Sequence, residues 1–224
     1  MDRLVAFGCS HTFGQGLSDE FNNISKGILK PSKFAWPSIL ALKLNKDCVN
    51  LGKKGASNKE ICYNILNFNF LDSDVVFILW TYSMRNCVIQ DNLKIKQINV
   101  NNEHIGKTVN GHVDDGNFSA KQNDMYYKNF HTSSDNIFSD HCYFNLANYY
   151  LQNLNIAVTH LAVSPLVVDN DHPSFPVRWN KVNFLDIYHD KVAILYPTAA
   201  DNNHMGEEGH VAFTNQIYKK LYCN

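Results

Sequence analysis

The chain has 224 residues, is 45% hydrophobic, and sets 20 Lys and Arg against 21 Asp and Glu for a net charge of -1. That length and apolar content fit one sizeable domain with its own core, and the near-neutral balance lacks the basic surplus that nucleic acid or an anionic membrane would call for. No apolar run reaches the roughly 18 residues of a membrane span, and a first strand beginning at Arg3 leaves no room for a secretory leader. Six cysteines (Cys9, Cys48, Cys62, Cys87, Cys142 and Cys223) are irregularly spaced without a C-x-x-C pair, and they read as reduced, mostly buried thiols of a cytoplasmic protein.

In chain order, "RLVAFG" (Arg3 to Gly8) reads as a buried strand ending at glycine. "FAWPSILALKLN" (Phe34 to Asn45) follows helical spacing, with Pro37 tolerable in a first turn. "CVNL" (Cys48 to Leu51) is a second strand. Ser57 and Glu60 then form an S-x-x-E capping box ahead of Ile61, Ile65 and Leu66. "DVVFILW" (Asp74 to Trp80) is the unbroken apolar run of a strand covered on both faces. Residues 85–134 are polar and rich in Asn and Gly, and read as an insertion carrying loops or a small hairpin. A helix from about Ser139 to Asn153, strands at Asn155 to Val163 and Lys191 to Leu195, and a helix from Glu207 to Leu221 complete the chain. Strands alternating with helices predict one α/β domain over 1–224, with a parallel sheet between helical layers.

The stretch "FGCSHTFGQG" (Phe7 to Gly16) follows the first strand and admits three readings: a phosphate cradle, a nucleophile or an ordinary turn. A P-loop requires G-x-x-x-x-G-K; Gly8 and Gly14 are one residue too far apart and no Lys follows. A dinucleotide loop requires a third glycine where Asp19 stands. The nucleophile reading needs a base with an orienting partner. "DNNHMGEEGH" near the C-terminus supplies Asp201 and His204 three residues apart. All strands of a parallel sheet end on one side, so this loop can meet Ser10 across the sheet edge. The turns after the second and third strands add candidate oxyanion donors, the backbone at Gly55 and the hydroxyl of Thr81.

Taken together, "GCSHTFGQG", "AWPSIL", "NLGKKGASN", "WTYSMR" and "DNNHMGEEGH" resemble the SGNH (GDSL-type) hydrolase family, in a branch found in phages and bacteria. The resemblance implies a three-layer α/β/α, flavodoxin-like fold with a parallel five-stranded sheet. It implies a serine esterase in which Ser10 is the nucleophile and lends its amide to the oxyanion hole. Gly55 would supply a second amide, and Asp201 and His204 the orienter and base. No metal or organic cofactor is implied. Two positions depart from the pattern: Cys9 replaces an Asp in the G-D-S block, and no Asn follows the third strand. Thr81 or Ser83 is left to donate in its place, since Asn86 comes late.

Other readings compete at single residues. Ser10 alone would be a turn serine, and His210, inside the last helix, reads as structural. Cys9 is a rival nucleophile in principle, but alternation along an extended segment turns it into the core. His11 and Arg85 are assigned to the substrate-binding rim. Asp169 to His172 invites a metal, but a turn before Pro173 explains it better. The expected substrate is a small-molecule or glycan ester, with carbohydrate O-acetyl groups favoured by the polar, aromatic-containing insertion. The alternatives are a catalytically weak glycan-binding or virion component and an O-acyltransferase.

Overall fold

A computed structural model describes residues 2–24, 29–98, 118–167 and 182–223. Five strands form the main sheet: β1 (Arg3–Gly8), β2 (Asp47–Asn50), β3 (Val75–Trp80), β6 (Ala157–Ala162) and β7 (Phe184–Tyr188). They lie in the order β2-β1-β3-β6-β7, every pair parallel. Counting only these five, the order is 2-1-3-4-5, the flavodoxin-like arrangement in which the chain reverses direction across the sheet beside β1. The first strand is therefore interior, and its C-terminal end opens at the switch point where such folds place their sites.

The sheet is buried on both faces, and its central strand β3 is apolar at every position. Val76, Phe77, Ile78, Leu79 and Trp80 are all fully buried. Alternation sends Phe77 toward Trp36 and Trp80 toward Phe144, with ring centroids 6.4 and 4.6 Å apart. Helices α3 (Trp36–Lys43) and α8 (Glu207–Tyr222) pack on the Trp36 side, and α4 (Asn58–Leu66) and α6 (Ser133–Asn153) on the Phe144 side. The result is the expected three-layer α/β/α architecture. At the N-terminal end of the sheet, Arg3 grips Asp74 through Nε at 2.8 Å and Nη2 at 2.7 Å, tying β1 to β3 away from the loops that carry chemistry.

Four details differ from the sequence reading. The fifth strand is Phe184–Tyr188, whereas Lys191 to Leu195 spans most of the short helix α7 (His189–Ala193) and the turn after it. A brief apolar run does not by itself distinguish strand from helix, and Ile194 and Leu195 stand 81% and 71% exposed. The α6 helix begins at Ser133, six residues before the expected Ser139, because Thr132 caps it by accepting from Asp135 N at 3.1 Å. Ser57 does cap α4 by accepting from Glu60 N at 3.3 Å, but the Glu60 carboxylate meets Lys53 and Gln97. All six cysteines are free, and three of them, Cys9, Cys62 and Cys87, are buried.

Between β3 and α6 the described residues hold an antiparallel hairpin, β4 (Asn86–Ile89) with β5 (Ile95–Ile98), and helix α5 (Ala120–Asn129). Tyr127 fastens α5 to the hairpin, its hydroxyl reaching Ile98 O in β5 at 3.2 Å and Met84 O just before β4 at 2.7 Å. Two further helices, α1 (Ser10–Phe13) and α2 (Ser18–Ile24), follow β1 directly. Asp169 to His172, considered above for a metal, lies outside the described residues. Among the described residues no helix is long and apolar enough to cross a membrane.

Candidate active site

At the C-terminal end of β1 the chain turns straight into α1. Cys9 is fully buried beneath the turn, and its carbonyl receives Thr12 N and Phe13 N, each at 3.0 Å. Ser10 is the first helical residue and is 2% exposed. Successive helical residues diverge by about 100°, so His11 leaves the turn in another direction. It does not stand free at the rim, and its ring packs 5.3 Å from that of His204 and 4.2 Å from that of His189.

The loop entering α8 brings Asp201 and His204. His204 Nδ1 lies 2.6 Å from Asp201 Oδ2, and the backbone amides of Asn203 and His204 both donate to Asp201 Oδ1 at 3.0 Å. Burial alone would raise the Asp201 pKa, but these hydrogen bonds hold it down to about 2. Asp201 is therefore an anion at neutral pH and fixes the tautomer of His204, with the proton on Nδ1 and Nε2 left as the basic nitrogen. The loop is closed on itself by Ala199 N donating to His204 O at 2.7 Å.

Gly16, the last residue of the opening stretch, joins this loop to the turn at Ser10. Its carbonyl accepts from Ala200 N at 3.0 Å, and its φ of +83° is one that L side chains avoid. A Cβ there would lie 2.6–2.7 Å from the Asp201 carboxylate. The two halves of the site therefore meet at Gly16–Asp201 and at His11–His204.

The second loop runs along the end of β1, with Leu51 N on Ala6 O at 2.8 Å and Lys53 N on Gly8 O at 3.0 Å. Gly55 sits in it against the side chain of Gln97 from the hairpin, whose Nε2 donates to Lys54 O at 2.8 Å. Thr81 follows β3 and is fully buried. Its backbone is clamped by Asn58, which accepts from Thr81 N at 2.8 Å and donates to Thr81 O at 3.0 Å. With that amide engaged, only the hydroxyl of Thr81 remains to donate elsewhere. Arg85 Nη1 donates to Thr81 Oγ1 at 3.1 Å, and an oxygen that accepts from a cation has its own hydrogen free to give.

The other candidates for the missing donor are engaged elsewhere. Ser83 hydrogen-bonds Asp140, whose carboxyl burial raises to about 7. Asn86 donates to the Tyr126 hydroxyl at 2.5 Å, toward α5. His210 accepts from Trp36 N at 3.2 Å, and burial lowers its pKa to about 3, so it is a neutral structural ring.

Four groups that bear on the site were not read from the sequence: His189, Asp190, Tyr82 and Asn58. His189 is fully buried against His11, and Asp190 accepts from the Tyr82 hydroxyl at 2.9 and 3.0 Å. Burial is the main cause that lowers the pKa of both His11 and His189. Their signal was strand placement, since ending the fifth strand at Tyr188 puts the next two residues on the same rim as Ser10. Among the described residues, His11, His189 and Asp190 also form the one group of three or more metal-ligating side chains with ligand atoms within 4.8 Å of one another.

Comparison with known proteins returns solved structures alone. No protein-family profile and no curated protein matches the chain. The chain is similar to a member of the lipolytic protein G-D-S-L family from Veillonella parvula, at 14% identity and a TM-score of 0.48, over 99% of this chain and 98% of that one. It is also similar to phospholipase A1 from Streptomyces albidoflavus, at 12% identity and a TM-score of 0.32, over 98% of this chain and 75% of that one.

Proposed function

We propose that the protein is a serine acyl-ester hydrolase of the SGNH type. The observation that carries this reading is the Asp201–His204 pair at 2.6 Å, held against the Ser10 turn through Gly16. In the proposed reaction His204 Nε2 takes the Ser10 hydroxyl proton as Oγ attacks the ester carbonyl. The tetrahedral oxyanion is met by the amides of Ser10 and Gly55 and by the hydroxyl of Thr81. His204 then passes the proton to the leaving alcohol. It next deprotonates a water that cleaves the acyl-serine, and the proton returns to Ser10 as the acid departs. Asp201 remains ionised throughout, orienting the imidazole and offsetting its transient positive charge.

The substrate class we favour is a short acyl ester on a small molecule or glycan, O-acetylated carbohydrate foremost. His11 and Arg85 are the side chains that border the reacting group. A second reading, a non-catalytic glycan-binding or virion component, is favoured by one observation, that no Asn stands in the turn directly after β3 and Asn86 is engaged with Tyr126.

Hydrolysis of 4-nitrophenyl acetate by wild type, Ser10→Ala and His204→Ala tests the proposal. Loss of either side chain should lower kcat by at least about 10³-fold. A wild type no faster than the variants would overturn it and leave the binding reading.

A further inference from the structure

Beside the proposed nucleophile lies a group of side chains to which the acyl-transfer steps assign no proton and no bond. His189 opens α7 and is fully buried; its Nε2 lacks a hydrogen-bond partner among the described residues, and its Nδ1 has only the Asp190 carboxylate, 3.5 Å away. His11 Nδ1 is likewise buried and unpartnered among them. The rings touch at a tilt of 41°, with centroids 4.2 Å apart. A neutral imidazole carries one N–H and one lone pair, and burying either without a partner is unfavourable. Two such rings in tilted contact, with Asp190 beside them, are an arrangement that core packing alone does not explain.

We propose that His11, His189 and Asp190 bind a divalent transition metal, Zn²⁺ foremost. The donor set is two imidazoles and one carboxylate, which suits zinc and its first-row neighbours and disfavours Mg²⁺ and Ca²⁺. The spacing also fits. Four ligands held tetrahedrally at about 2.0–2.1 Å lie about 3.3 Å from one another, and His189 Nδ1 stands 3.5 Å from Asp190 Oδ1. All three ligand atoms fall within 4.8 Å of one another, so closing on an ion requires shifts of up to about 1.5 Å.

An outer partner is already in place. The Tyr82 hydroxyl donates to the Asp190 carboxylate and orients it, as residues behind metal ligands do. The ion would link the turn carrying Ser10 to the end of β7, two segments far apart in the chain. Three protein ligands leave a fourth position open to water or to a ligand oxygen. This inference goes beyond the esterase reading and does not depend on it.

The test is titration of the metal-stripped full chain with Co²⁺, read by its visible ligand-field absorption, followed by displacement with Zn²⁺. One Co²⁺ per chain is expected. Asp190→Asn and His11→Gln should each weaken binding by at least about 100-fold, more than loss of an outer partner does. Ser10→Ala should bind as wild type, which separates this outcome from any result of the esterase assay. Zn²⁺ should raise the melting temperature of wild type and leave that of Asp190→Asn unchanged. If wild type takes up no Co²⁺ from about a tenfold excess, the site does not exist. If His11→Gln and Asp190→Asn, each folded by circular dichroism, bind within threefold of wild type, the ion sits on other side chains and the proposal falls. Should Asp190→Asn fail to fold, His11→Gln decides by the same criterion.

Discussion

Replacing Gly16 with alanine should separate the Asp201 carboxylate from catalysis without removing it. Residue 16 has φ +83°, where an L side chain costs about 1–2 kcal/mol. The new Cβ would stand 2.6–2.7 Å from the carboxylate atoms, so Asp201 must retreat by close to 1 Å. That stretches the 2.6 Å bond to His204 Nδ1 beyond hydrogen-bonding range. A hydrogen bond to a charged group contributes about 1.5–3 kcal/mol, which becomes a fall in kcat of about 10-fold to 150-fold if it is felt fully in the transition state.

The assay is 4-nitrophenyl acetate hydrolysis with kcat and KM resolved, alongside thermal melting. Gly14→Ala is the control. It has similar strain at φ +79°, but its Cβ would meet Ala35 and Ser32 rather than Asp201. Gly14→Ala should melt earlier and keep its kcat. The reasoning is refuted if Gly16→Ala keeps kcat within about twofold, or if Gly14→Ala loses as much.

Two other variants address neighbouring parts of the site. Asp201 has its folded pKa lowered to about 2, so its stabilisation is present above its unfolded value near 3.9 and disappears as pH falls toward 2. Asp201→Asn should therefore cost about 1–2 kcal/mol at pH 7, allowing for its partial exposure, and its melting temperature should converge on that of wild type between about pH 4 and pH 2. Asn58→Ala strips both clamps from the buried Thr81 backbone. It should destabilise the chain by about 2–4 kcal/mol in denaturant unfolding and lower kcat more than it raises KM, because Thr81 is assigned to the oxyanion.

The sequence by itself determined whatever depends on neighbours a few residues apart. The unbroken apolar runs at β1 and β3 specify strands buried on both faces. Ser57 and Glu60 mark the start of α4. The three-residue step from Asp201 to His204 already allows one ring nitrogen to meet the carboxylate, since a short loop restricts how far apart they can be. The alternation of elements was enough for a parallel sheet, and five parallel strands with that chain order bring their C-terminal turns to one rim.

Tertiary structure decided what joins segments distant in the chain. Nothing in "FGCSHTFGQG" shows that Gly16 exists for a carboxylate 185 residues later, because that requirement arises only when two loops are packed together. Asn58 as the clamp on Thr81, and Gln97 against Gly55, are likewise contacts between elements on separate strand ends. The fifth strand was misplaced because edge strands bury little. Its burial is partial, and the apolar run after it looked more strand-like than the strand itself. That error hid His189 and Asp190. Once β7 ends at Tyr188, they stand beside His11, and only the fold, by bringing the first strand turn and the last one together, makes a group of three side chains from residues that lie at opposite ends of the sequence.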